Sequence, residues 1–200
     1  MLFFKTETGE KIFFVFFEKT LDKLKKIVYN KTVPKRCRLK RSDTDMRITQ
    51  EADYALRMVS LLAKSGAVFS CGMVQGTIFA PAMAEAVSVP EGFANKILRK
   101  LSLAGLVKAM RGVTGGYYLL RDPGNLTVKE VIETIDGPIE ISKCLAENCE
   151  CLNNPNKDCC RFHNVFGVLN QMLTERLDRL SIAMMVDADL AICDLLEIIK

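Results

Sequence analysis

The sequence predicts a mainly α-helical protein with a small β wing, arranged as a winged helix-turn-helix followed by a long dimerisation helix. Three observations support this fold class. Two amphipathic helical segments are separated by a short turn near Val89. A glycine-rich turn, residues 111–116, then lies between two short apolar segments, as in a β-hairpin. Finally, Phe and Leu residues recur every three or four positions from Phe162 to Leu180.

Residues 1–45 differ in composition from the rest of the chain. They contain 12 of the 28 Lys and Arg residues and 6 of the 24 Asp and Glu residues, which leaves 16 basic and 18 acidic residues in the remainder. Their apolar run Ile12–Phe17 is six residues long, far below the roughly 20 that cross a bilayer. We therefore expect no membrane span, and either a disordered N-terminal extension or a start codon assigned too far upstream.

The predicted DNA-binding domain spans residues 46–137 and begins with a helix. Thr49 can cap this helix, whose apolar residues recur at helical spacing until Gly66 ends it. The stretch 67–80 contains glycines and has no persistent period, so it is predicted to be a loop. Cys71 within this loop is interpreted as a small buried hydrophobic residue.

The helix-turn-helix comes next in the chain. A short helix is predicted over residues 81–87, and Ser88–Glu91 has the spacing of a capping box that would start the second helix. Between Gly92 and Arg121 there are six cationic residues and no acidic one. A stripe of one sign is typical of phosphate binding, whereas solvated faces usually mix signs. The residues expected to contact double-stranded DNA are Asn95, Lys96, Arg99, Lys100 and Arg111.

The wing is predicted from two strands, residues 106–110 and 117–120, that flank the glycine-rich turn. Arg111, at the start of this turn, would enter the groove next to the one that holds the second helix. Thr127–Glu130 is another capping box, and it predicts a helix that Gly137 ends.

The C-terminal part, residues 164–200, is predicted to hold the dimerisation helix and a further C-terminal helix. The long helix, which begins near Cys160, carries an apolar seam outside a complete winged helix, so a second copy of the chain is its expected partner. Residues 182–200 are predicted to form one apolar helix, and Cys193 on this helix is predicted to lie in the hydrophobic core.

Residues 138–163 are predicted to form a cysteine-rich loop. Five of the chain's eight cysteines and its single histidine fall within the 20 residues 144–163. The polar, Asn-rich middle of the loop has strong turn propensity, so ligation or oxidation is expected to order it. The residues concerned are Cys144, Cys149, Cys151, Cys159, Cys160 and His163.

Three kinds of thiol chemistry compete for this loop: an iron–sulfur cluster, a structural zinc ion and a thiol–disulfide switch. Zinc sites usually show paired C-x2-C spacings, whereas clusters accept irregular loops and a non-cysteine ligand. A secreted disulfide scaffold is disfavoured because the chain is long and shows no secretory signal, so a cytoplasmic protein is expected. One histidine and no nucleophile–base pair argue against an enzyme.

Several motifs resemble those of the IscR/NsrR-type (Rrf family) bacterial transcription regulators. They are the opening Met46–Arg57, the helix end Leu103–Val107, the wing Arg111–Tyr117 and the cysteines ahead of a long helix. The resemblance covers about residues 46–181 and implies a winged-helix homodimer that binds a palindromic operator, as a repressor. It also implies a 2Fe–2S or 4Fe–4S cluster held by three cysteines and one variable ligand.

The resemblance also implies which residues of this chain bind the cluster. The implied cysteine ligands are Cys144, Cys151 and Cys160, with Cys149 and Cys159 as alternates. The fourth ligand is Asp53, which the opening motif favours, or His163. Since the family pattern needs three cysteines and this loop has five, a cluster-free thiol switch or a zinc-binding regulator of the same family is the alternative. The sensed signal would be redox state, nitric oxide, iron or iron–sulfur supply.

Overall fold

A computed structural model of the chain describes residues 48–112, 115–146 and 159–200. The described residues lie in one compact unit, Thr44–Lys200, and the predictions for residues 1–45 fall outside them. The helices are α1 Gln50–Lys64, α2 Ala80–Ala86, α3 Glu91–Leu103, α4 Val128–Asp136, α5 Arg161–Arg179, α6 Ile182–Val186 and α7 Ile192–Ile198. The strands are β1 Phe69–Ser70, β2 Met73–Val74, β3 Val107–Met110 and β4 Gly116–Leu119. The mainly α class with a small β wing is thereby confirmed.

Two threonines cap helices as the sequence predicts. The Thr49 hydroxyl accepts a hydrogen bond from the Ala52 N–H (3.2 Å), and the Thr127 hydroxyl accepts one from the Glu130 N–H (3.1 Å). Thr49 also donates its N–H and its hydroxyl to the carboxylate of Asp136, at 3.1 and 2.5 Å. The start of α1 is therefore bonded to the end of α4.

The capping box predicted at Ser88–Glu91 is wrong. The N–H of Ser88 bonds to Glu85 O, and the N–H of Val89 bonds to Ala84 O. With Ser88 at φ +56°, these two bonds form a Schellman motif, so Ser88 ends α2 and does not begin α3. The N-cap residue of α3 is Pro90, whose side chain makes no capping hydrogen bond.

The stretch 67–80, predicted to be a loop, contains the short hairpin β1–β2. Ser70 pairs with Met73, and the two linking residues, Cys71 and Gly72, have φ +51° and +80°. Positive φ at both positions defines a type I′ turn. Cys71 is consequently exposed at the tip of the hairpin, and its predicted burial is wrong. Strands of two residues are too short to give a periodic signal.

The wing is the antiparallel pair β3–β4, in which Val107 lies opposite Leu119. On its other edge β4 is bonded to the segment before α2, because Ile78 and Tyr117 exchange N–H···O bonds of 3.0 and 2.8 Å. Gly116, at φ +132°, lies so close to this segment that a Cβ would be 2.8 Å from the Ile78 backbone. Strand β4 thus has hydrogen-bond partners on both of its edges.

The hydrophobic core lies between α1, α3, α4 and the wing, and Ile182 of α6 is fully buried in it. The Val128 N–H bonds to Leu180 O and the Ile182 N–H bonds to Leu126 O, each at 2.8 Å. The C-terminal end of α5 is therefore fixed to the start of α4. None of the described helices is long and apolar enough to cross a membrane.

The single helix predicted over residues 182–200 is also wrong. α6 and α7 are separate, and the Asp187 carboxylate accepts a bond from the Asp189 N–H (2.9 Å) in the turn between them. This local side-chain bond offers the backbone an alternative to the helix. Cys193, expected in the core, is exposed on α7.

Candidate nucleic-acid interface and cysteine site

One face of α3 is buried and the opposite face is polar. The apolar residues Ala94, Ile97, Leu98 and Leu101 are buried against the core. Their periodicity leaves Asn95, Lys96 and Arg99 exposed on the outer side. The outer face of α3, defined by these three residues, can approach a ligand as large as DNA.

The wing carries two exposed cations, Lys108 on β3 and Arg111 directly after it. Within the part of the chain that the structure describes, Arg99, Lys108 and Arg111 have no ion-pair partner. Lys108 was not among the residues singled out from the sequence, although it belongs to the same cationic stripe.

The other three cations of the stripe are paired with acids from elsewhere in the fold. Glu51 of α1 lies 3.4 Å from Lys96 and 2.8 Å from Lys100, and Arg121 is paired with Glu130 of α4. Lys100 also donates to Ile135 O, at 3.3 Å. Its ammonium is therefore held within the domain, and its contact with DNA stays a prediction.

Asp53 lies on α1 beside a small group of rings and cations. Its carboxylate is half exposed and lies 2.8 Å from the guanidinium of Arg57, one turn along the helix. Arg57 also lies over the ring of Tyr54, which meets the ring of Phe93 edge to face at 5.8 Å between centroids. The carboxylate of Asp53 is thus paired with a residue of its own helix.

Cys144 lies in a 3₁₀ turn, Lys143–Leu145, and is partly buried. Its Sγ is 3.2 Å from the hydroxyl of Ser142. The turn is fixed to α5 because the Ile141 N–H bonds to the side-chain oxygen of Asn170 (3.0 Å). Cys149 and Cys151, the two candidates for the middle ligand, lie outside the described residues.

The other predicted ligands lie where α5 begins. Cys160 is the N-cap residue of α5, Cys159 precedes it, and His163 is three residues further on, on the same face of the first turn. The His163 Nδ1 atom is buried and has no hydrogen-bond partner among the described residues. In those same residues, no three His, Cys, Asp or Glu side chains are grouped to hold a metal ion.

The outer side of α5 is apolar and uncovered. None of the residues of this helix is buried. The exposed apolar residues, spaced as in a coiled-coil seam, are Phe162, Val165, Val168, Leu169, Met172 and Leu173. Soluble monomers rarely expose large contiguous apolar patches, so this face is expected to be covered by another protein surface.

Comparisons with known proteins give consistent matches. A family model named Rrf2, described as an iron-dependent transcriptional regulator, matches residues 48–188. An rrf2-like HTH-type transcriptional regulator from Rhodobacter capsulatus is 31% identical over 155 residues, which are 75% of this chain and 99% of that relative. The HTH-type transcriptional regulator IscR from Xenorhabdus nematophila is 26% identical over 70% of this chain and 79% of its own length.

Among solved structures, CymR, the global cysteine regulator of B. subtilis, has the same fold. The TM-score is 0.54 at 24% identity, over 70% of this chain and 95% of that chain. The sequence relatives are named as transcriptional regulators, which confirms the prediction that the chain is not an enzyme.

Proposed function

Because the chain belongs to the Rrf2 family of transcriptional regulators, we propose that it is a dimeric repressor whose operator affinity depends on an iron–sulfur cluster held by the cysteine-rich loop. Regulation of transcription through DNA binding is the activity of the family. The repressor role, the dimer and the cluster are the proposed additions. The observation that supports DNA recognition best is the exposure of polar and cationic residues on both α3 and the wing, namely Asn95, Arg99, Lys108 and Arg111.

The residue types on this surface suit sequence reading in the major groove. An arginine can bind the edge of guanine with two hydrogen bonds, and an asparagine can do the same with adenine. We assign these roles to Arg99 and Asn95, with Lys96 beside them on the outer face of α3. Arg111 would enter the adjacent groove from the wing, and Lys108 would contact a phosphate.

The apolar face of α5 supports the proposed dimer. Pairing two copies of this face would bury the exposed residues from Phe162 to Leu173 and would set two α3 helices on one duplex. Helix-turn-helix dimers read half-sites about one helical turn apart, roughly 34 Å, which is why their operators are palindromic.

The residue types in and beside the cysteine-rich loop suit an iron–sulfur cluster, which takes thiolates from irregular loops and accepts a non-cysteine ligand. We propose Cys144, Cys151 and Cys160 as ligands. Cys144 and Cys160 are both partly buried free thiols. For the fourth ligand, the buried and unpartnered Nδ1 of His163 now favours this residue over Asp53, whose carboxylate is engaged by Arg57. When bound, an iron–sulfur cluster supplies iron whose ligation changes on oxidation or on reaction with a small molecule such as nitric oxide.

The chain offers a mechanical route from the cysteine loop to the DNA surface. Ile141, just ahead of Cys144, is bonded to Asn170 on α5, and Leu180, directly after α5, accepts a bond from the Val128 N–H at the start of α4. Order or disorder in the loop would therefore bias the orientation of α5 relative to α4, which packs against α3 in the core. Coupling between sites of this kind is typically worth about 1–3 kcal/mol, or roughly 5- to 150-fold in affinity.

A cluster-free thiol switch is the second candidate. It is favoured by the number of thiols, since five cysteines lie in the loop and the proposed cluster uses three of them. CymR, which has the same fold, is named a global cysteine regulator. In this case oxidation would join two thiols of the loop and would change the start of α5 directly.

The test is to select an operator from a random duplex pool with anaerobically purified protein, and then to compare affinities of cluster-loaded and chelator-stripped protein. We expect sequence-selective binding that differs by roughly 5- to 150-fold between the two forms. Cys160→Ala should abolish this difference, and Cys193→Ala, which changes an exposed cysteine outside the loop, should retain it.

Three outcomes would count against parts of the proposal. Protein that retards no duplex would refute the DNA-binding role itself. Equal affinity of the loaded and stripped forms would refute the role of the cluster. A difference that air creates in stripped protein, and that a thiol reductant alone removes, would favour the thiol switch.

A further inference from the structure

Glu51 is a largely buried acid that faces the DNA-reading helix. It lies in the first turn of α1, and its side chain is 17% exposed. Its Oε1 is 2.8 Å from the Nζ of Lys100, and its Oε2 is 3.4 Å from the Nζ of Lys96. The two lysines are four residues apart on α3 and share one face. One carboxylate therefore pairs with two of the three cations of α3.

Further contacts hold the two lysines and the carboxylate in place. The Nζ of Lys100 donates to Ile135 O at 3.3 Å, near the C-terminal end of α4. The ammonium of Lys96 lies 5.7 Å from the centre of the Phe93 ring. The backbone that carries Glu51 is itself fixed, because Thr49 is bonded to Asp136 at the end of α4.

We propose that Glu51 is a specificity-determining residue, which limits sequence-independent DNA binding by holding Lys96 and Lys100. Non-specific affinity comes from cations that neutralise phosphates and release counterions, and each such cation adds about 0.9 to the salt slope. A lysine already paired with a carboxylate contributes less to this attraction. Random DNA would then be bound chiefly by cations without an acidic partner among the described residues, such as Lys108. This inference rests on the proposed DNA-binding role.

The arrangement matters because a repressor must find one operator among a large excess of other sequences. The relevant quantity is the ratio of specific to non-specific affinity, and removing phosphate contacts lowers the non-specific affinity without removing base contacts. At the operator, an acceptor on a base edge can compete with Glu51 for the ammonium of Lys96, since Lys96 is the more exposed of the two lysines.

The experiment measures binding of a random 30-base-pair duplex by fluorescence anisotropy between about 50 and 200 mM salt, a range over which counterion release is resolved. Glu51→Gln is expected to steepen the plot of log affinity against log salt by about 1–2 units, since up to two lysines are released. Lowering the salt from about 200 to 50 mM should then raise the affinity of Glu51→Gln by up to about tenfold more than it raises the affinity of the wild type.

Glu91→Gln is the matched control. Glu91 is an exposed acid in the first turn of α3, without an ion pair among the described residues, and its replacement changes the net charge equally. We expect it to leave the slope unchanged. An unchanged slope for Glu51→Gln, or an equal steepening for Glu91→Gln, would overturn the proposal.

A second set of variants decides the matter even if Glu51→Gln does not fold. Lys96→Gln/Lys100→Gln in the native background should hardly change the salt slope on random DNA, because Glu51 already holds both lysines. If the salt slope of this double variant is smaller than that of the wild type by about 2 units, the two lysines contact phosphates in the native protein, contrary to the proposal. If the wild type fails to bind any duplex, the DNA-binding role is refuted instead.

Discussion

The apolar face of α5 leads to a quantitative prediction about dimerisation. Replacing Leu169 and Leu173 together by alanine should weaken the dimer strongly without unfolding the domain. Both side chains are exposed, and neither packs against the winged-helix core, as Leu177 of the same helix does. Alanine also keeps the helix intact, because it has the highest helix propensity.

The size of the effect follows from the exposed fractions. Leu169 is 47% exposed and Leu173 is 41% exposed. Fully burying a leucine is worth roughly 1.5–3 kcal/mol, so covering these fractions is worth about 0.6–1.4 kcal/mol per side chain. A two-fold interface contains both residues twice, which gives about 2–5 kcal/mol for the double variant. The dissociation constant of the dimer should rise roughly 30-fold to a few thousandfold.

Sedimentation equilibrium over nanomolar to micromolar protein would measure this change. Gln171→Ala/Glu175→Ala is the matched control, because these exposed residues have the same spacing on the polar side of α5. The control should dimerise like the wild type. A wild type that is monomeric at micromolar concentration, or a leucine variant that dimerises as tightly as the control, would refute the assignment of this face.

Three further outcomes are expected. Arg111→Ala should weaken operator binding by about 1–3 kcal/mol and random-duplex binding much less, as judged by anisotropy, and an equal loss on both would make Arg111 a phosphate contact. His163→Ala, prepared anaerobically, should lose cluster content and change the visible spectrum, whereas Asp53→Ala should keep both; the reverse result would restore Asp53 as the ligand. Thr127→Ala should lower the free energy of unfolding in urea by about 0.5–2 kcal/mol, with Thr127→Ser close to wild type, because the lost bond caps α4; equal stability of the two variants would contradict this.

The parts of the fold that depend on local chemistry could be predicted from the sequence. Thr49 and Thr127 cap helices because a hydroxyl at that position accepts from an N–H that the helix leaves unpaired. The wing could be predicted because its turn needs positive φ, which the local glycines Gly112 and Gly116 adopt. Each of these signals lies within a few residues of the feature that it specifies.

Other features depend on backbone states or on distant residues. The spacing of Ser88 and Glu91 suits a capping box, yet Ser88 adopts a left-handed conformation that ends α2. No acidic partner for the cations of α3 is visible nearby in the sequence, because Glu51, which pairs with Lys96, lies 45 residues earlier in the chain. Pairing over such a distance is created by the tertiary fold and leaves no local pattern.

The central claim, that the cysteine-rich loop holds an iron–sulfur cluster through Cys144, Cys151 and Cys160, is tested most directly by Mössbauer and visible absorption spectroscopy of anaerobically purified, iron-57-enriched protein. We expect a coloured protein with the Mössbauer spectrum of a 2Fe–2S or 4Fe–4S cluster, and we expect Cys160→Ala to lose both signals. A colourless protein without an iron signal, which still binds its operator, would contradict the claim.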